Sequence, residues 1–242
     1  MTVKKDQTYD AIRTQLVSGE LKVGERVSEQ TLAERLGVSR SPVREAIKRL
    51  QRDGYFEQVH RYGTIVRQPG IEEVAETYHL RAALEPYALR HATPEDFVDC
   101  LDELRENCRR MRDIAGQTVS AEKAESRAGL VERFFKLDEH FHETLLRCSG
   151  NERFRGLVGE ARLFAQIHGV RRHSVITFET IMGVHRYHHR IFTAVEAGNL
   201  EEAARQMDEH IGVSRDGAMD WLRFQTAIRE SEDAADLPED LD

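Results

Sequence analysis

The 242-residue sequence predicts a mainly α protein in two parts, an N-terminal winged helix-turn-helix with a small β hairpin and a C-terminal antiparallel all-α bundle. Three observations carry that expectation. Residues 28–52 read as two short helices joined at a glycine, the second with one apolar and one cationic stripe. Residues 55–66 hold two β-prone runs across a short turn. From Ile71 to about Arg229, one helical pattern follows another with no convincing strand.

The first helix of the pair starts after Ser28, a good N-cap, and turns Leu32, Ala33 and Leu36 inward. Gly37 permits the left-handed turn that ends it, and Val38 can fill the angle between the helices. Ser39 or Ser41 caps the second helix, where Pro42 is tolerated in the first turn because its missing N–H would have no partner there. Val43, Ala46, Ile47 and Leu50 then recur at the spacing of one buried face. Arg40, Arg44 and Lys48 step by four along another face, beside Arg49 and Arg52 and with Glu45 as the single acid. A basic cluster in a chain of net charge -8 points to nucleic-acid phosphate. In such a motif the second helix enters the DNA major groove, N-terminal residues first. Tyr55–Val59 and Thr64–Val66, joined through His60-Arg61-Tyr62-Gly63, make the hairpin.

Charge is divided between the parts. Residues 1–69 hold 13 Lys/Arg against 9 Asp/Glu, and the remainder holds 22 against 34. A basic first domain suits a polyanion and an acidic second one repels it. Domain bounds are expected at 1–69 and 70–229, with an acidic, flexible tail at 230–242. No apolar stretch approaches the ~20 residues of a membrane span, and the first residues lack a signal-peptide core. The three cysteines, Cys100, Cys108 and Cys148, have no C-x-x-C spacing. They are expected to be reduced, in a cytoplasmic protein without a membrane partner.

In the second part, helices are expected near 71–91, 95–115, 121–148, 152–169, 177–197 and 200–228, with breaks at Thr93-Pro94, Gly116, Ser149–Asn151, Arg171–Ser174 and Gly198-Asn199. Polar groups interrupt their apolar stripes. Asp138 and His142, one helical turn apart, share a side with Val131, Phe134, Phe135, Leu145 and Leu146. His188 sits within Ile181, Val184, Ile191 and Val195, and His210 within Leu200, Ala203, Met207 and Trp221. His188 lies ten residues before Gly198 and His210 twelve after. At ~1.5 Å per residue both stand roughly 15–18 Å from the bend, side by side on an antiparallel pair. Buried polar groups need partners, and a divalent transition metal would satisfy all four. Zinc leads, with nickel, manganese or iron open on this ligand set. His185 and His189, also one turn apart, are an alternative pair, whereas His140 points away from Asp138.

The run Leu32-Ala33-Glu34-Arg35-Leu36-Gly37-Val38-Ser39-Arg40-Ser41-Pro42-Val43-Arg44-Glu45-Ala46-Ile47, with Gly19, Leu21 and Gly24 upstream, resembles the DNA-binding domain of GntR-type bacterial transcription regulators over residues ~8–67. The resemblance implies that Arg40 and Arg44 contact bases, Ser39 and Ser41 the backbone, and His60 with Gly63 the wing tip; Lys48 continues the same cationic face. Gln30 stands where the best-known member has a DNA-contacting arginine, so no operator sequence is implied. Asp138-x-x-Phe141-His142-x-x-Leu145, His188-x-x-Ile191-x-x-Ala194-Val195 and Met207-x-x-His210-Ile211 are similar to the FCD domain of the FadR subfamily over residues ~71–225. There the matching Asp and three His hold a divalent metal that helps bind a small carboxylate effector. The run Tyr78-x-x-Arg81-x-x-Leu84-Glu85 also fits, making Arg81 an effector-binding candidate; an ordinary Arg81–Glu85 ion pair is the alternative.

These readings imply a ligand-responsive repressor, homodimeric on a palindromic double-stranded DNA operator and switched by a carboxylate metabolite. The alternatives are a metal-dependent enzyme fused to a DNA-binding domain, which would need a general base not seen beside the ligands, and a regulator with a purely structural metal.

Overall fold

The computed structural model describes residues 2–120, 124–169 and 177–235. Its contacts divide the chain into two compact units. The first comprises residues up to Gly70 together with Leu163–His168, and the second holds the remaining helices from Ile71 onward.

In the first unit, α1 (Thr2–Ser18) and α2 (Glu29–Leu36), the latter directly after the short strand β1 (Arg26–Val27), both pack on α3 (Arg40–Arg52). Ser28 caps α2, its hydroxyl accepting from Thr31 N–H at 3.4 Å. Gly37 ends it with φ 65° and donates its N–H to the Ala33 and Glu34 carbonyls. Ser39 occupies the N-cap position of α3 but makes no side-chain capping bond. Val43, Ala46, Ile47 and Leu50 meet Tyr9, Ile12 and Leu16 of α1 in one core, with Val38 against its edge. β2 (Phe56–Val59) and β3 (Gly63–Val66) form the hairpin, and β1 adds a third strand that the sequence reading did not contain. The strand order is β1-β3-β2, all antiparallel, with Gln58 opposite Thr64 and Arg26 opposite Ile65.

The second unit contains α4 (Ile71–Arg90), a 3-10 turn (Pro94–Cys100), α5 (Leu101–Ser120), α6 (Ala124–Cys148), α7 (Glu152–Gly169) apart from its residues 163–168, α8 (Phe178–Glu196) and α9 (Leu200–Ala235). α5 packs against α6 and α8, α9 against α4 and α8. Met111, Ile114, Val131, Phe134, Leu137 and Ile181 form one core across α5, α6 and α8.

Several expectations are corrected. α5 continues through Gly116 to Ser120, because nothing presses on that glycine and its neighbours keep the helical bonds. α9 remains helical to Ala235, past residue 229 where a flexible tail was expected, its acidic residues lying on an unbroken helix; 236–242 fall outside the described residues, as does the break expected near Arg171–Ser174. Cys100 and Cys148, with Cα atoms 6.9 Å apart, come side by side where the 3-10 turn packs onto α6, a juxtaposition their spacing did not suggest; Cys108 is buried. No helix among the described residues is long and apolar enough to cross a membrane.

Candidate functional site

Two groups of side chains stand out, one in each unit. On α3, Arg40, Arg44 and Lys48 are well exposed, at 61, 51 and 62 % of their side-chain surface. Ser39 and Ser41 flank the start of the helix in the open. At the hairpin end, Arg61 takes φ 62° and Gly63 φ 106°, and His60 is exposed. A Cβ on Gly63 would lie 3.3 Å from Arg26 Nε, so glycine lets that guanidinium close on the turn, where it also faces the Tyr62 ring at 5.8 Å. Arg40 and Arg44 both reach Glu29 of α2, an acid the sequence reading passed over.

The second group is buried. Asp138 and His142 come from α6, His188 from α8 and His210 from α9, and one donor atom of each lies within 4.8 Å of the others. The Nε2 atoms of His142, His188 and His210 form a triangle with sides of 3.2, 3.2 and 3.3 Å. Asp138 Oδ1 completes the group, 3.3 Å from His188 Nε2 and 3.9 Å from His142 Nε2. All three rings are at most 2 % exposed. The Gly198 bend, with φ 69°, aligns α8 and α9 so that His188 and His210 meet at one level.

Hydrogen bonding fixes which nitrogens face inward. His142 Nδ1 contacts the Glu85 carboxylate, whose other oxygen accepts from Arg81 Nε at 2.7 Å. His188 Nδ1 faces Met111 Sδ at 3.2 Å. With their protons on Nδ1, both rings turn an Nε2 lone pair toward a shared centre. Lone pairs this close repel unless a cation lies between them. Nitrogens 3.2–3.3 Å apart suit ligands about 2.0–2.1 Å from one ion, at near-tetrahedral angles. The donor set therefore fits a divalent metal.

Electrostatics agree. Burial and the neighbouring Arg162 charge push His142 down to about 4, against the opposing pull of Glu85. Burial, with the two neighbouring imidazoles, holds His210 well below its ordinary value. For Asp138, burial would raise the carboxyl, but Arg162 and His188 outweigh it and keep it ionised. Glu85 likewise stays ionised against burial, through His142 and Arg81. Neutral imidazoles and ionised carboxylates are the forms that ligate metals.

Arg81 is buried in the i,i+4 pair with Glu85, and its charge also acts on Asp138 and His210. Arg162, on α7, is the residue the sequence reading missed. Its Nη2 donates to Asp138 Oδ2 at 2.5 Å, while Nε and Nη1 are buried without a hydrogen-bond partner among the described residues. An arginine in a run as polar as Glu160-Ala161-Arg162 gives no sign in one sequence that it turns inward. Of the other histidines, His189 is exposed on Thr193, His140 is paired with Glu103, and His185 is buried but stands outside the group. An open groove of about 570 Å³ runs past Arg186, His189, Arg190 and Asn199, and none of the four lines it.

Residues 4–66 match the bacterial regulatory proteins of the gntR family, and residues 76–213 match the FCD domain. A Streptomyces ambofaciens protein described as an uncharacterized HTH-type transcriptional regulator in an unstable DNA locus is 30% identical over 234 residues, 95% of this chain and 91% of its own length. The probable D-xylose utilization operon transcriptional repressor of Paenarthrobacter nicotinovorans is 27% identical over 210 residues, 87% of this chain and 86% of its own. Among solved structures, E. coli McbR/YncC superposes with a TM-score of 0.69 at 20% identity, covering 90% of this chain and 97% of that one, a likeness of fold.

Proposed function

The chain belongs to the GntR family of bacterial DNA-binding transcription regulators, with an FCD domain as its helical half, and from that premise we propose that it is a metal-dependent, effector-responsive repressor. Regulators rather than enzymes make up its relatives. In this reading α3 lies in the major groove with Arg40 and Arg44 on base edges. Ser39, Ser41 and Lys48 contact the backbone, and His60 and Gly63 lie at the wing tip. One short recognition helix reads too few bases for a unique site, so a homodimer on a palindromic operator doubles them.

Asp138, His142, His188 and His210 hold one divalent transition metal, zinc first among those the ligands suit. When bound, the ion supplies an open coordination position for a carboxylate. Glu85, backed by Arg81, orients His142. The observation that carries the effector half is Arg162. A buried guanidinium with two unmet donors is costly, and a carboxylate seated between it and the metal side of Asp138 would satisfy them. To regulate, the effector must favour one arrangement of the two domains over another.

Elemental analysis of untagged protein prepared without chelator should find one transition-metal ion per chain. His188→Ala and His210→Ala should lose it and His185→Ala should keep it. Hydroxy acids, sugar acids and dicarboxylates are then screened by thermal shift, since a ligand that binds the folded state raises its stability. Hits should release operator DNA from wild type and leave His188→Ala bound. Unchanged metal content in both His188→Ala and His210→Ala would overturn the site; metal without any effector-dependent release would make it structural.

A further inference from the structure

One carboxylate engages both guanidinium groups expected to read bases. Glu29 is the first residue of α2, directly after its cap Ser28, where the unpaired N–H groups of a helix start favour a negative charge. From there it accepts from Arg44 Nε and Arg44 Nη2, each at 3.0 Å, and from Arg40 Nη2 at 3.3 Å. The hydrogen bond from Arg44 comes first among the influences that hold the Glu29 carboxyl below its ordinary range, so it stays ionised.

Which edge of Arg44 is used matters. A guanidinium has a side edge, made of Nε–H and one Nη–H, and an end edge made of the two Nη groups. Glu29 takes the side edge. The end edge, whose two donors match O6 and N7 of guanine, is left over. Stability does not explain the arrangement, because exposed pairs of this kind stabilise a fold little. Affinity does not explain it either: a carboxylate on the DNA-facing side repels phosphate whatever the sequence. A gain in selectivity remains.

We propose that Glu29 is a positioning residue for operator recognition, fixing the Arg44 guanidinium so that its end edge meets a guanine rather than the nearest phosphate. The inference rests on the placement of α3 in the major groove given above. Without Glu29, Arg44 becomes a mobile cation that binds any duplex.

The test uses full-length wild type, Glu29→Ala, Glu29→Asp and Arg44→Ala, each checked for a wild-type melting temperature. A randomised duplex pool is selected with wild type to obtain its preferred sequence. Binding is then compared at one salt concentration for that duplex, for duplexes with single guanines replaced, and for a random duplex. Wild type should favour its guanine by about 10- to 100-fold, the range of a good bidentate contact. Glu29→Ala should lose at least about 5-fold of that ratio, at the same base pair that Arg44→Ala affects, while random-duplex binding stays level or tightens. Glu29→Asp keeps the charge but withdraws the carboxylate by one methylene, and should show the same loss. An intact guanine ratio in Glu29→Ala, with all duplexes bound more tightly alike, would overturn the inference and leave Glu29 a mere counter-charge. An unaltered ratio in Arg44→Ala would overturn the docking of α3 itself, and the inference with it.

Discussion

Replacing Glu85 by Gln should separate the support of the proposed metal centre from its ligands. The Glu85 side chain is 1 % exposed and faces two donors, Arg81 Nε at 2.7 Å and His142 Nδ1. A glutamine offers one oxygen where two were used, and its amide N–H groups meet a donor on the other side. The Arg81 guanidinium, 7 % exposed, also loses its counter-charge. Breaking a buried pair from one end costs about 3–5 kcal/mol, so Glu85→Gln should unfold at much lower urea. Arg81→Met/Glu85→Leu removes both charges in similar volume and should recover most of that stability. His142 remains without an acceptor on Nδ1 in the double variant, so its tautomer and ring angle are no longer held. Loss of such a partner lowers metal affinity by roughly 10- to 100-fold, about 1.4–2.7 kcal/mol. Zinc competition against a chromophoric chelator, with urea denaturation of the same samples, measures both effects. Metal affinity within twofold of wild type in the stable double variant would refute the orienting role of Glu85.

Two further expectations concern stability. His142, pushed down to about 4, and His210, held low as well, are neutral in the fold but take up protons near 6.5 once unfolded. Above the folded His142 value the unfolded state binds more protons, so chelator-stripped protein should lose stability as pH falls from 7.5 to 5.5, by about 1.4 kcal/mol for His142 with a further loss in the same direction from His210; denaturant midpoints that stay level or rise would contradict the burial of neutral imidazoles. Gly37→Ala and Gly116→Ala should act in opposite directions although neither added Cβ meets an atom within 4 Å. At φ +65° the first is strained and should destabilise by roughly 1–2 kcal/mol, whereas the second lies in α5 and should stabilise by about 0.5–1 kcal/mol; equal melting temperatures would refute the left-handed cap.

Local signals in the sequence determined a good deal. Ser28, Gly37 and the stripe Val43, Ala46, Ile47, Leu50 specify the helix pair, because caps, turns and apolar periodicity act within a few residues. The spacing of His188 and His210 about Gly198 predicts their meeting, because two helices in an antiparallel hairpin share one rise per residue. Choosing His188 over His185 lay beyond local pattern: both are buried on α8, and only the packing of α6 and α9 against that helix decides which ring faces three other donors. The same holds for β1, two residues long and defined by its pairing with β3, and for α1, whose Tyr9, Ile12 and Leu16 stand among polar residues until α3 covers them. Glu29, Glu85 and Arg162 carry charges that read as surface in one dimension. Their partners lie 15 and 11, 57 and 24 residues away, and a charge acquires its role from what folding brings within hydrogen-bond reach.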